Sequence, residues 1–306
     1  LLLVNRIPEA QNETKQLQRL AAQRHLYSVA KRILGAEVFL GAPIAIAWGV
    51  ASLNIPGVRS YAAFWGLLIS LSDVLWLNPW QKRLREKAAK IQEVFDCDVL
   101  QLPWNTIKVG ERPDPELIKE HADKFKKSPS RLSPLNNWYA PVVGELPIDV
   151  ARILCQRSNC WWDSNQRRRY AVWVIAGLMI TVVTILGLAF VGGLTVEKLF
   201  LSVIAPLAPA LILAIRQCTE QIEAASRIDK LKCHAERIWS AALDNAIDLE
   251  LSNKSRALQD EIYENRKRSP LVFDWIFRQL RSGYEIQMNH AAEEYAQEAK
   301  KRLGLI

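Results

Sequence analysis

Four stretches of this 306-residue chain contain no basic residue. Residues 33–53, 61–77, 170–196 and 199–215 hold 82 residues, none of the 40 Lys and Arg, and two of the 32 Asp and Glu. A soluble globular protein does not segregate charge in this way, although the overall hydrophobic share of 50% looks ordinary. Histidine is scarce as well: His25, His121, His234 and His290 are scattered, and none lies in an HExxH. A Gly-rich phosphate loop and a GxSxG elbow are also missing, so no motif proposes catalysis or a cofactor. The five cysteines match no zinc spacing, and Cys155 to Cys160 is too long for a CxxC pair, so no metal site is expected. Composition excludes collagen-like, disulfide-rich and largely disordered classes.

What is present is a set of spans. A bilayer core roughly 30 Å thick needs about 20 apolar helical residues, with a range of about 17–25. All four runs meet that range, the second and fourth at its short end. The reading is an all-α membrane protein, with four transmembrane helices in two hairpins and long helical cytoplasmic extensions. Trp76 and Trp80 close the second run, and Trp161, Trp162 and Trp173 lead into and begin the third, as headgroup-seeking rings do. Pro56 and Gly57 turn the first hairpin; Gly192 and Gly193 turn the second.

Of the 40 Lys and Arg, residues 1–32 hold 6, residues 78–169 hold 17 and residues 216–306 hold 15. Each hairpin loop holds one, Arg59 or Lys198. The positive-inside rule then places both termini and the middle segment in the cytoplasm of a multi-pass inner-membrane protein. The expected divisions are an N-terminal helical segment (1–32), a first transmembrane hairpin (33–77), a cytoplasmic middle region (78–169), a second transmembrane hairpin (170–215) and a cytoplasmic helical region (216–306). No secretory leader is expected, because the first apolar run follows about thirty polar residues. All five cysteines fall on the cytoplasmic side of this topology and should be reduced thiols. The formal charge of +8 and pI near 9.3 suit anionic lipid headgroups or an anionic cytoplasmic ligand.

In the cytoplasmic parts, residues 8–32 read as one helix feeding the first span. Residues 81–94 read as helix, 97–104 as a short extended piece, and 110–141 as loop around one helix near 114–127. A helix from Ile148 runs into the third span, and another continues from the fourth span to about Glu250. Ser269–Pro270 should end a further helix, and Gly283 should break or bend the last. Ala224, Ile228, Leu231, Ala235, Ile238 and Ala242 alternate steps of four and three. That seam serves either oligomerisation or packing within the chain.

Two acids lie inside the runs. Glu37 is four residues into the first, Asp73 four residues before the end of the second, so both sit at matching depth. A carboxylate in hydrocarbon costs about 2.5–3.5 kcal/mol on insertion scales and turns toward protein or water. One reading makes them acids at the inner mouth of a cation-favouring pore. The other leaves them hydrated, or protonated and bonded to Ser70 or Ser72. Thr181 and Thr184 put hydroxyls on one side of the third run and are further pore-lining candidates. Gly41, Ala45 and Gly49 permit close helix contact, and Pro206 and Pro209 should kink the fourth run. Outside the spans, Arg152, Arg157, Trp104 and Trp161 are candidates to bind an anionic, aromatic ligand, since phosphates want guanidinium donors and bases stack on indole. For Trp161, Trp162 and Arg167–Arg169 an interfacial anchor on lipid phosphate is the favoured reading.

Several strings outside the spans carry a resemblance: IPEAQN at 7–12, LAAQRHLYSVAK at 20–31, VFDCDVLQLPWN at 94–105 and ARILCQRSNCWWDSNQRRRYA at 151–171. On these the chain resembles the SMODS-associated four-transmembrane effector family, pore-forming effectors of bacterial cyclic-oligonucleotide anti-phage signalling. The resemblance covers most of residues 7–220. It implies an effector silent until a cognate nucleotidyltransferase makes a cyclic di- or oligonucleotide, then a homo-oligomeric pore that kills or arrests the infected cell. Its partners would be that nucleotide and membrane lipid, not DNA. The alternatives are a membrane-anchored sensor or scaffold without a conducting pore, and a small transporter, for which two hairpins of one orientation lack the inverted repeat.

Overall fold

The computed structural model describes residues 5–127, 135–191, 193, 195–244 and 250–305. Among them the regular elements are helices, joined by short 3₁₀ and π turns, and no strand occurs. In chain order they are α1 (Ile7–Ala10), α2 (Thr14–Gly41), α3 (Pro43–Asn54), α4 (Arg59–Ser72), α5 (Asn78–Val99), α6 (Thr106–Val109), α7 (Pro115–Lys126), α8 (Ile148–Val191), α9 (Val196–Leu199), α10 (Ala205–Asp244), α11 (Leu251–Arg268) and α12 (Asp274–Arg302). They form two units. Unit 1 comprises Leu1–Ser28, Leu84–Arg167 and Glu223–Ile306; unit 2 comprises Val29–Arg83 and Arg168–Ile222.

Unit 1 has a conventional core. Phe95 and Cys97 of α5, Ile153 and Leu154 of α8, and Leu258 and Ile262 of α11 are all buried together. The four-three seam of α10 belongs to the same core: Ala224, Ile228, Ala235, Ile238 and Ala242 are buried, and Leu231 packs against them. The choice between oligomerisation and packing within the chain is thereby decided for this seam. It is closed by its own chain and is not an oligomer contact.

Charge is buried here too. Glu93 and Asp96, one turn apart on α5, have no exposed surface, and α11 answers them. Arg256 Nη2 donates to Glu93 Oε1 at 2.8 Å, and Arg266 Nη1 to Asp96 Oδ2 at 2.9 Å. Gln259 Nε2 reaches Glu93 Oε2 at 2.8 Å and Asp96 Oδ2 at 3.1 Å, while the Tyr139 hydroxyl donates to Asp96 Oδ1 at 2.7 Å. From α8, Gln156 Nε2 donates to Gln259 Oε1 at 3.1 Å. Burial first, and then the neighbouring Asp96, raises the Glu93 carboxyl above its ordinary value, while Arg256 and Arg266 pull it back. Burial, with Asp96 beside it, likewise keeps the Tyr139 phenol protonated and donating.

Local structure differs from the sequence reading at three points. Residues 8–32 are two helices, not one. Gln11 ends α1, and its side chain pairs with the Tyr139 backbone, Oε1 accepting from N at 2.7 Å and Nε2 donating to O at 3.1 Å. The extended piece expected over 97–104 begins later, because α5 runs to Val99 and Gln101 then takes a φ of 53°. Gly283 does not break α12, which continues through it; the glycine costs about 1 kcal/mol relative to alanine, too little to stop a 29-residue helix. Ser269 does end α11 as expected.

In unit 2, α8 carries the third run as far as Val191. Ile148–Gly187 is, among the described residues, the one helix long and apolar enough to cross a membrane, and most of its apolar stretch is exposed. The other three runs depart from plain α geometry within their length. Pro43, which lacks an N–H and restricts the residue before it, separates α2 from α3 at Ala42. The second run leaves α4 through a π turn, Asp73–Leu77, before α5. The fourth passes from α9 through a second π turn, Phe200–Ile204, into α10. Pro209 lies inside α10. Of the glycines expected to turn the second hairpin, Gly193 adopts a φ of 58° and Gly192 lies outside the described residues.

Two measurements test this fold. Asp96→Ala should strand the Arg266 guanidinium and the Tyr139 hydroxyl and cost about 3–5 kcal/mol, read as an earlier loss of helical circular dichroism in denaturant. All five cysteines are free. Burial pushes the Cys160 thiol up to about 12 and also raises Cys97 and Cys155. Maleimide at neutral pH should therefore modify exposed Cys233 and spare those three until denaturant is added, as mass spectrometry of the peptides will report.

Candidate functional site

Unit 2 is built inside out for water. Phe39, Phe64, Ile180 and Ile212, one from each run, are 58%, 62%, 67% and 62% exposed. The small residues face inward. A side chain begun at Gly41 would meet Ala210 at 3.8 Å, and one at Gly66 would meet the Ala205 carbonyl at 3.4 Å. That carbonyl is the one whose helical donor Pro209 removes. Trp65 Nε1 donates to Leu40 O at 3.1 Å, meeting a carbonyl at the end of α2.

The Gly41–Ala210 approach has a consequence one turn away. It brings Glu37 on α2 to Arg216 on α10. Arg216 Nη2 donates to Glu37 Oε1 at 3.4 Å, and Arg216 Nη1 donates to Asp73 Oδ2 at 2.7 Å. Gln81 Nε2, on α5, donates to Glu37 Oε2 at 3.0 Å. Glu37 is 3% exposed. Asp73 opens the π turn, whose wider backbone sets its carboxylate relative to α4 and α5. One guanidinium thus joins carboxylates from two separate runs, a charge-assisted arrangement of the strong kind.

The remaining candidates divide. Thr181 and Thr184 donate to Gly177 O and Ile180 O, each at 2.8 Å, so both hydroxyls engage their own helix. Arg152 is buried and caps the end of α5, with Nε to Leu100 O at 2.6 Å and Nη2 to Gln101 O at 2.8 Å. Arg157 pairs with Glu236 at 3.0 Å and lies 4.7 Å from the Tyr295 ring centre. Trp104 Nε1 donates to Gly110 O at 2.8 Å, and Arg112 sits 5.2 Å from its ring. Trp161 meets Tyr284 of α12 at 5.5 Å, and Tyr284 meets Trp162 at 5.6 Å. The four ligand candidates therefore stand in separate contacts. Among the described residues no group of three or more His, Cys, Asp and Glu is placed to hold a metal ion.

Two groups escaped the sequence reading. Arg216 enters that reading only within the basic count of residues 216–306, though it directly follows the fourth run. Phe277, Arg281 and Tyr284 share one face of α12 at steps of four and three, a spacing visible in the sequence but without meaning until Trp161 and Trp162 are placed beside it.

The family model of the SMODS-associating 4TM effector domain matches residues 5–295. The chain belongs to this family. The chain is also similar to a probable CBASS effector molecule of Bacillus cereus (strain VD146), 23% identical over 276 residues, covering 88% of this chain and 91% of that protein. No solved structure matches the chain. The family match runs through both units, including the Glu37–Arg216–Asp73 group.

If Arg216 is what permits the buried Glu37 and the partly buried Asp73 in an apolar unit, Arg216→Ala should destabilise the protein by about 3 kcal/mol, the low end for a broken buried pair because Arg216 keeps 30% of its side-chain surface. Adding Glu37→Gln and Asp73→Asn to that variant should recover most of the loss. Thermal unfolding in detergent, run as a mutant cycle, reads both values.

Proposed function

We propose that this chain is a multi-pass inner-membrane effector of bacterial anti-phage defence, without enzymatic activity. Its four apolar runs cross the bilayer, with both termini and unit 1 in the cytoplasm. A cyclic di- or oligonucleotide, made by a cognate nucleotidyltransferase during infection, binds unit 1. The bound state opens or assembles a pore of several copies, and loss of the membrane barrier kills or arrests the cell.

The observation that carries this reading is the inversion of unit 2. Large apolar side chains from all four runs face outward, while the acids and their arginine are drawn together. Such a unit has hydrocarbon as its solvent. Family membership and the naming of the Bacillus relative as a probable CBASS effector support the defence role and the class of signal. The departures from α geometry at Ala42 and in the two π turns suit a bundle that rearranges, because irregular backbone at membrane depth is tolerated where it faces protein or a water-filled path. In the state described, Arg216 holds Glu37 and Asp73. In a conducting state their carboxylates would face permeating cations. A nucleotide drives that change only if it binds the open assembly better than the resting one.

Dye-loaded liposomes carrying the purified protein should leak when the cognate cyclic nucleotide is added. Liposomes that stay tight although binding is measured would reject the pore and favour the membrane-anchored sensor. For the acids, Glu37→Gln with Asp73→Asn should move the reversal potential in a KCl gradient toward zero. An unchanged reversal potential would remove both from the conduction path.

A further inference from the structure

Within unit 1, α12 lays Phe277, Arg281 and Tyr284 along one face. Against that face stand Trp161 and Trp162 of α8. The ring centres run Trp161 to Tyr284 at 5.5 Å, Tyr284 to Trp162 at 5.6 Å and Trp162 to Phe277 at 6.1 Å. All four rings are only partly buried. Two guanidinium groups close the row at Phe277: Arg24 of α2 at 5.5 Å from its ring centre and Arg281 at 5.8 Å. Arg24 also lies 5.9 Å from the Trp138 ring.

Two like charges at one aromatic ring repel each other. Burial first, and then Arg281, lowers Arg24 to about 10, against the opposing pull of Asp274 and Glu285. Both acids are engaged from the side. Arg281 Nε donates to Glu285 Oε1 at 2.5 Å, and Ser28 Oγ donates to Asp274 Oδ2 at 3.4 Å. Glu285 keeps 43% of its side-chain surface and lies on the same helix as Arg281, so it can give way to a ligand. A diester phosphate offers two oxygens where Glu285 now takes part of the Arg281 guanidinium. Edge-on indole and phenol rings with a solvent-facing side offer stacking surface to any base.

Resting on the reading of the chain as a nucleotide-gated effector, we propose that this row is its cyclic-nucleotide site, with bases stacked at Trp161, Trp162 and Tyr284 and a phosphate held between Arg24 and Arg281. The site joins three helices distant in sequence, so its occupancy would tie α2, α8 and α12 together. Arg152, Arg157 and Trp104, engaged in their own contacts, are outside it.

The full-length protein in detergent, titrated separately with cyclic di-AMP, cyclic di-GMP, cyclic GMP-AMP and cyclic tri-AMP, tests this by quenching of tryptophan fluorescence and by calorimetry. At least one of the four should bind the unaltered chain. Arg281→Ala and Tyr284→Ala should each weaken that nucleotide tenfold or more, and Tyr284→Phe should restore it to within about threefold. Arg237→Ala, on the exposed side of α10, should leave it unchanged. Equal circular dichroism spectra exclude misfolding of the alanine variants, and Arg281→Lys, keeping the charge without the fork, should bind with intermediate strength. Binding unchanged in Arg281→Ala and Tyr284→Ala would overturn the site and leave the nucleotide-gated reading standing. Failure of the unaltered chain to bind any of the four would overturn both.

Discussion

A charge removed from water must meet an opposite charge or a full set of hydrogen bonds, and both units are organised by that demand. In unit 1 two carboxylates one turn apart on α5 are fully covered, and α11 supplies two arginines and a glutamine at the spacing that reaches them. In unit 2 the ratio changes, with one arginine serving two acids that arrive from different runs. Hydrophobic packing alone would accept several registers of α11 on α5, or of α10 beside α2. The buried ions accept few. Leaving out one partner costs more than the intact group contributes, so these contacts act chiefly by excluding alternatives.

The strings that mark the family outside the spans turn out to be fastenings. In the first of them, Ile7 is fully buried and Gln11 copies a strand-like pairing with the Tyr139 backbone. The stretch after the second run carries Asp96 and ends on Asn105, whose Oδ1 accepts from Ile107 N and Lys108 N to cap α6. The stretch before the third run supplies Arg152, which closes the end of α5, and Gln156, which links α8 to α11.

Much of the secondary structure could be read because long stretches free of Gly and Pro make helices, as from Ile148 to Ala176 and from Ala210 to Asp244. The interruptions could not. A π turn has no compositional mark, and Asp73–Leu77 reads as ordinary apolar helix until its backbone is seen. Depth counting put Glu37 and Asp73 level with one another, and the same count applied to cations would have brought in Arg216. The aromatic row was half visible: Trp161 and Trp162 stood out, but Phe277, Arg281 and Tyr284 lie more than a hundred residues later, and periodicity within one helix does not say which distant helix it faces. Arg152 and Arg157 drew attention by type, yet an arginine's partners are a matter of tertiary geometry.

Each π turn houses one residue more than an α turn of the same height, which rotates the helix beyond it by about 100° relative to an unbroken α count. Residues on either side of Asp73–Leu77, or of Phe200–Ile204, therefore cannot be assigned to a common stripe by counting through the turn. A deletion of one residue there would restore plain α geometry and swing the flanking surface to a new bearing, whereas the same deletion elsewhere would break the ladder. Length differences among relatives should collect at these two places, and comparison of their helical faces should be re-indexed on each side.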